Sequence, residues 1–501
     1  MPSVMKTLFL NPPSFKGFDG GSSARYPATR EIPSYWYPVW LSYPAGMLEG
    51  SRLLDACPHN ISPEETVQIA RGYDFVVLFT STVGFQNDCR MARLMKEAKP
   101  DLKIAFVGPP VQMQPEASLR ACEAIDFVVR GEFDYPVVEY AQGMPLDQIR
   151  NASYLKDGKL VSNPERPQLQ TADLDQLPFV SEVYKRNLAI ENYSIPYLLH
   201  PYISFYSTRG CPALCTFCLW PQTMSGHTWR VRSVDNVVAE VRQAQKLFPQ
   251  MKEIFFDDDT FNIRKDRMLE ICKKFKPLSF RWSSTARVHS DYETLKAMAD
   301  GGARLFIVGL ESGDPQILKN IKKGATVEMA RAFVKNCKKV GIKIHGDFII
   351  GLPGETPETI EKTIQYAKEL DVETVQVSIA HAFPGTELYE FYAKNNYMVH
   401  SAVTDEGGHQ LPHIEMPGLS RRDMMAAVNR FYDEYYFRPR IVWRLVKDAL
   451  WDANERKRLY HEAASFLRLR GERLKYVRDG APTRPMVSVP ANAPPPANNI
   501  V

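Results

Sequence analysis

The sequence predicts an α/β protein made of two parallel-sheet units. A doubly wound, Rossmann-like domain over residues 1–150 precedes a partial (β/α)6 TIM-like barrel over 191–400, and a helical C-terminal region follows over 401–480. Three observations carry this. Short β-branched or aromatic runs alternate with helical stretches, the pattern of parallel strands joined by crossover helices. The alternation comes in two sets, divided by a polar, proline-containing linker over 151–190. Nowhere do about 18 apolar residues run together, so no spanning helix is expected.

The first set supplies five strands: "KTLFL" (6–10), "SRLLDA" (51–56), "DFVVLFTS" (74–81), "KIAFVG" (103–108) and "DFVVRG" (126–131). Between them "SPEETVQIARG" opens on Ser62 with Glu65 three residues later, the spacing of a capping box. "FQNDCRMARLMKEAKP" and "QPEASLRACEA" carry helical periodicity. The connection from Asn11 to about Pro44 is long for a compact domain, which marks it as functional or disordered, and its Tyr and Trp content argues against disorder. In doubly wound sheets ligands lie beyond the carboxyl ends of the strands. Those ends read Asn11-Pro12-Pro13, Thr80-Ser81-Thr82, Gly108-Pro109-Pro110 and Arg130-Gly131-Glu132, small and turn-forming residues that leave room for something large and flat. No G-x-G-x-x-G follows the first strand, which counts against a dinucleotide.

The second set reads "YISFYST" (202–208), "EIFFDDD" (253–259), "RWSSTA" (281–286), "LFIVGLESG" (305–313), "KIHGDFIIG" (343–351) and "TVQVSIA" (374–380), with helices such as 233–248, 291–300, 326–340 and 357–370 between strands. In a barrel of this kind the site lies at the strands' C-terminal ends. His345, His381 and Glu387 are expected at or near such ends. The C-terminal region holds an aromatic knot, "FYDEYYFRPR" (431–440), and an amphipathic "IVWRLVKDALWD" (441–452). The proline-rich residues 481–501 lack periodicity and read as a disordered tail.

A formal charge of +4 over 501 residues, with a pI near 8.4, argues against a nucleic-acid partner. Eight scattered cysteines form no disulfide framework, which favours a reducing compartment, the cytoplasm. The opening "MPSVMKTLFLNPPSF" is too short in apolar residues for a signal peptide. Charge is concentrated between Arg438 and Gly480, where twelve Lys or Arg face six Asp or Glu. Beside an amphipathic helix this is either a peripheral contact with an anionic inner-membrane surface or a solvated packing helix.

"STRGCPALCTFCLW" (207–220) gathers three cysteines in eight positions, Cys211-x3-Cys215-x2-Cys218. Packed structural thiols, a redox Cys215–Cys218 pair and a zinc-stabilised binding module with His227 as fourth ligand are alternatives, since a closed zinc site takes four ligands. The remaining reading is a [4Fe-4S] cluster with one iron open.

With Phe217 just before the last cysteine, this stretch resembles the radical S-adenosylmethionine (SAM) superfamily, and "FFDDDTF", "GLESG" and "GLPGET" follow in that family's order. The resemblance implies that Cys211, Cys215 and Cys218 hold the cluster and that the open iron chelates SAM. It further implies that Asp257, Asp258 or Asp259 meets the SAM amino group, that Glu311 meets its ribose or methionine part, and that Gly351 borders the adenine. A flavodoxin- or ferredoxin-type electron donor is implied as well. Members preceded by a five-strand α/β domain commonly bind cobalamin there, and "DFVVRGEFDYPVVEY" resembles their "GE" segment, so Thr80, Ser81, Thr82, Gly108, Gly131 and Glu132 are the implied corrin contacts. The D-x-H-x-x-G loop that supplies a histidine to cobalt is missing, and His59 follows the second strand instead. Domains with and without corrin both stay open at this point.

"MKTLFLNPPSFKGFDGG", "YWYPVWLSYPAGML" and "FYDEYYFRP" resemble the hopanoid-biosynthesis-associated, cobalamin-domain radical SAM family of bacteria, from about Met5 to about Arg478. That resemblance implies a hopanoid lipid-sugar substrate and ring contraction of a glucosaminyl bacteriohopanetetrol to the cyclitol ether. A cobalamin-dependent radical SAM C-methyltransferase is the alternative within the same architecture.

Overall fold

The structure is a computed structural model that describes residues 4–15, 34–399, 412–443 and short stretches between 463 and 478. The N-terminal sheet contains β1 (Thr7–Asn11), β2 (Arg52–Asp55), β3 (Phe75–Phe79), β4 (Lys103–Val107) and β5 (Phe127–Val129), all parallel. It differs from expectation beyond β5. The segment read as a linker folds β6 (Ala152–Lys156) and β7 (Lys159–Ser162) into a hairpin that joins β5 antiparallel, giving the order β2-β1-β3-β4-β5-β6-β7. The turn Asp157-Gly158 has φ above +50° at both residues, which suits a tight hairpin. Its strands are only five and four residues long and half polar, which made them read as linker.

The barrel begins at β8 (Tyr202–Phe205). A two-residue ladder pairs β9 (Thr208–Arg209) with β10 (Arg230–Val231), and β11 (Glu253–Phe256), β12 (Trp282–Ala286), β13 (Ala303–Glu311), β14 (Lys343–Ile350) and β15 (Thr374–Ile379) follow. Their order, β8-β11-β12-β13-β14-β15, is sequential and wholly parallel, so this is an open six-stranded (β/α)6 sheet. An open sheet leaves an edge to protect. The aromatic knot does so from the helix Arg421–Tyr436, where the hydroxyls of Tyr432 and Tyr436 accept from the N–H groups of Val377 and Val375 on β15, each at 3.0 Å.

Helices begin where the side chains dictate. Ser62 and Glu65 form the expected capping box, and Ser233, Asp291, Thr326 and Thr356 each cap a barrel helix through a side-chain oxygen. Leu8, Val76 and Ile104 face one core, while Phe9, Val77 and Ala105 join a second core that runs on into the barrel. The two units are therefore fused by apolar packing.

The connection after β1 explains much of that fusion. Residues 34–38 and the helix Val39–Met47 form a strap across both units: Tyr37 donates to the Tyr202 carbonyl at 2.7 Å and stacks on Tyr193 at 4.0 Å, while Trp36 meets Phe255 edge-on at 5.6 Å. Residues 16–33, most of the amphipathic stretch 441–452 and the tail 481–501 lie outside the described residues. Among the described residues no helix is long and apolar enough to cross a membrane.

Candidate active site

The cysteine loop is built from the acidic strand end beside it. Asp258 accepts from the Ser207 N–H and hydroxyl (2.6 and 2.5 Å) and from the Thr208 N–H (3.1 Å), and Asp259 accepts from the Gly210 N–H at 3.1 Å. Two of the three aspartates thus shape the entry to the loop. Burial raises the Asp258 carboxyl to about 6 even though these donors pull it down. Asp257 is also buried, at the end of β11. Gly210 turns the chain at φ +86°, and a Cβ there would lie 2.2 Å from the Thr228 carbonyl oxygen, so only glycine closes this turn.

The loop's backbone is tied down beyond that point. The Cys211 N–H donates to Gly226, the Thr216 N–H to Ile321, and the Gln222 amide to the carbonyls of Cys215, Thr216 and Cys218. Cys211 and Cys215 are buried, Cys218 is half-buried and all three are free thiols. Burial holds the Cys211 thiol above its ordinary value. His227 turns Nδ1 onto the carbonyls of Cys211 and Ala213. Among the described residues no three His, Cys, Asp or Glu side chains converge as a single ion requires. A four-iron cluster spreads its thiolates around a larger body, and three soft donors on one rigid loop fit it.

Two cations stand by these thiols. The Arg287 guanidinium lies 4.0 Å from Cys215 Sγ and donates to the Lys323 carbonyl, while Asn262 grips Arg287's own N–H and carbonyl. Lys323 is buried against Glu311 at 2.7 Å, with its ammonium 5.9 Å from the Phe217 ring. Burial raises the Glu311 carboxyl against the pull of Lys323, and Glu311 in turn outweighs burial to hold Lys323 above its ordinary value. Glu311 sits at φ +61°, and a Cβ on Gly309 would lie 2.2 Å from its Oε1. Sequence reasoning missed both cations. Arg287 follows the end of β12, where the strand-end rule applies, but nothing in "NIKKGAT" marks Lys323.

At the "GLPGET" turn Gly351 has φ +95°, its N–H donates to Glu355 and its carbonyl accepts from the Tyr392 hydroxyl. Burial raises Glu355 to about 8, with the Gly351 and Leu352 N–H groups acting the other way. A Cβ at Gly351 would lie 2.8 Å from Met424 Sδ, so the side that the glycine leaves open is filled by the helix Arg421–Tyr436. His381 lies just past β15, whereas His345 is the third residue of β14, in the half of the sheet away from the mouth, stacked on Tyr197 at 4.1 Å. Glu387 is exposed and paired with Lys322.

Across from the thiols lie the N-terminal strand ends. The Thr80 hydroxyl donates to the buried Asp88 at 2.7 Å, and Ser81 Oγ accepts from the Gly84 N–H. Gly108, at φ +122°, lets β4 press against β3, since a Cβ would lie 2.1 Å from the Thr80 carbonyl oxygen. At Gly131, φ +64°, a Cβ would meet nothing nearer than 3.8 Å. With half-buried Thr82, these residues make a low floor that fits a flat macrocycle. Glu132 departs from the expected corrin contacts: its carboxylate takes Arg230 at 2.8 and 3.0 Å and the Leu169 N–H at 2.8 Å, so it binds the barrel. His59 is engaged at both ring nitrogens, by the Asp55 carbonyl and the Ala189 N–H. The floor meets the barrel directly: helix Pro109–Met113 packs on helix Leu219–Thr223, Met113 fills the space over Gly385, and Trp40 stacks on Trp220 at 6.2 Å.

These features define a cluster-bearing (β/α)6 enzyme with a second cofactor domain set against its mouth. Residues 205–367 match the Radical SAM superfamily and residues 27–141 the B12 binding domain. The chain is 31% identical over 461 residues to an uncharacterized methyltransferase of Pyrococcus horikoshii, covering 89% of this chain and 95% of that one. A hopanoid C-2 methylase of Rhodopseudomonas palustris is 24% identical over 382 residues, covering 72% of this chain and 66% of that one. The methyltransferase TsrM of Kitasatospora setae, solved with cobalamin and a [4Fe-4S] cluster bound, shares the fold with a TM-score of 0.65 at 16% identity, over 95% of this chain and 99% of that one. The protein belongs to the radical SAM superfamily, in the branch with an N-terminal B12-binding domain. Its cofactors are a [4Fe-4S] cluster, SAM and cobalamin, and it requires an electron donor.

Proposed function

We propose that the protein is a cobalamin-dependent radical SAM methyltransferase acting on an unactivated carbon, with hopanoid lipids as the substrate class. The observation that carries the methyltransferase reading is the direct apposition of the corrin floor and the cysteine loop. When bound, the cluster and SAM supply a 5′-deoxyadenosyl radical and cobalamin supplies a methyl group. The protein's own part is placement. Cys211, Cys215 and Cys218 would hold the cluster, Arg287 and Lys323 would set positive charge beside it, and Asp257 and Glu311 would be the acceptors for the amino and hydroxyl groups of SAM. The apolar seam from Trp40 to Trp220 keeps water from the space between.

The substrate class is supported by the hopanoid-associated segments of the sequence and by the hopanoid methylase among the relatives. The start of the basic C-terminal region also exposes Phe437, Val442 and Trp443 beside Arg440, a composition suited to peripheral contact with an anionic membrane. The second reading, contraction of a glucosaminyl headgroup to the cyclitol ether, rests on the same segments. Product analysis separates the two. Methyl transfer yields S-adenosylhomocysteine together with 5′-deoxyadenosine and a product heavier by one methylene, while ring contraction yields 5′-deoxyadenosine alone. Unchanged polar hopanoids in a deletion strain would remove the substrate assignment and leave the cofactor chemistry standing.

A further inference from the structure

A buried cluster of four charged side chains lies at the seam between the two units. Arg209 and Arg230 stand opposite each other in the β9–β10 ladder. Arg209 forks onto Asp134, with Nη1 and Nη2 donating at 2.7 and 2.9 Å, and Arg230 Nη1 reaches both oxygens of Glu132. A 3.4 Å contact from Arg209 to Glu132 joins the pairs. None of the four side chains exceeds 7% exposure. The remaining valences are filled within the seam: Arg230 donates to the carbonyls of Leu169 and Ser225, and the Arg209 guanidinium lies 4.4 Å from the Trp40 ring and 4.9 Å from that of Tyr43.

The sequence positions of these residues give the cluster its meaning. Arg209 is two residues ahead of Cys211, and Arg230 closes the same hairpin. Glu132 directly follows Gly131 of the corrin floor, and Asp134 opens the helix Asp134–Ala141 behind it. Ion pairs this deeply buried gain little stability over an apolar seam, because desolvation offsets their attraction. A forked Arg–carboxylate pair does impose a single distance and a single angle. An apolar seam can slide; this one has a single register.

We propose that Arg209–Asp134 and Arg230–Glu132 are positioning pairs that set the spacing between the cluster loop and the corrin floor. The role stands whichever substrate is used. It is tested in the full-length protein reconstituted with cluster and cobalamin, using D134N, E132Q and R209K. Pulsed EPR reads how strongly the reduced cluster speeds the relaxation of cob(II)alamin, a quantity that falls steeply with distance, and iron content, cobalt content and melting temperature are measured alongside. The expected result is native iron and cobalt with the relaxation enhancement changed severalfold in D134N and E132Q, and a smaller change in R209K, which keeps the charge and loses the fork. Native relaxation in variants that only melt earlier would show the pairs to be structural and overturn the proposal. If the neutral variants fail to hold cofactors, R209K decides: native relaxation there overturns it equally. Absence of a cluster or of cobalt in the unmutated protein would instead count against the cofactor assignment.

Discussion

At the carboxyl ends of β3, β4 and β5 the N-terminal sheet presents Thr80, Gly108 and Gly131, whereas at those of β11, β12 and β13 the barrel presents Asp257, Arg287 and Glu311. The first set is small and neutral, the Thr80 hydroxyl turns inward onto Asp88, and the charges that flank Gly131 are taken up elsewhere, Arg130 by the Asn163 carbonyl and Glu132 by Arg230. The second set is charged, with Arg287 lying 4.0 Å from the Cys215 thiol and Glu311 paired with Lys323. A floor that binds by shape suits a large rigid macrocycle. A mouth that binds by charge suits a cluster of thiolates and a zwitterionic ligand, whose ionic groups gain most in a buried setting. The two faces should therefore fail in different ways.

The largest effect belongs to the barrel face. Cys211→Ala, Cys215→Ala or Cys218→Ala should bring 5′-deoxyadenosine formation to background and remove bound iron, while cobalt uptake persists; iron retained at the native level would contradict the ligand assignment. Lys323→Met leaves Glu311 buried and unpaired, which should destabilise the fold by about 3–5 kcal/mol in denaturant unfolding. Glu311→Gln should be milder, since the glutamine amide oxygen still accepts from Lys323 and the lysine side chain is the more exposed of the two.

The neutral face should respond to shape. Gly108→Ala places a Cβ on the Thr80 carbonyl at a strained φ, a loss of about 1–3 kcal/mol, and should weaken cobalamin uptake while iron content stays native. Asp88, one of several buried acids in this unit, gives the smallest change per pH unit. Burial raises Asp88 from 3.8 to about 7. Between those values the folded state holds a proton that the unfolded chain releases, so stability falls as pH rises through that window. The slope is at most about 1.4 kcal/mol per pH unit. Asp88→Asn should remove its share of that slope while Asp55, raised to about 7 in the same sheet, keeps its own; an unchanged profile would place the titration elsewhere.

The strands of both units were legible because parallel, buried strands are continuous apolar runs, and the observed bounds depart from the expected ones by a residue or two at most ends. The β6–β7 hairpin was not legible, since "ASYLK" and "KLVS" are short, carry polar residues and show no alternation. Within the site, Cys211, Cys215 and Cys218 announce themselves by spacing along the chain. Lys323 does not, because its partnership with Glu311 spans 12 residues and a helix. Glu132 was placed on the correct strand end and given the wrong neighbour: a lone sequence shows that a carboxylate follows Gly131, and only the fold shows that Arg230, 98 residues later, takes it.

The strap over residues 34–47 has a consequence for the order of events during synthesis. Tyr37 finds its acceptor, the Tyr202 carbonyl, 165 residues downstream, and Trp36 waits for Phe255. Five strands of the first sheet leave the ribosome long before either partner exists. A fragment ending at residue 190 would keep Tyr184 against Tyr37 but lose Tyr193, Tyr202 and Phe255, so the strap would be only partly covered. The strap's remaining partners, Tyr202 on β8 and Phe255 on β11, lie on either side of the cysteine loop, so the strap is complete only once that loop has been made.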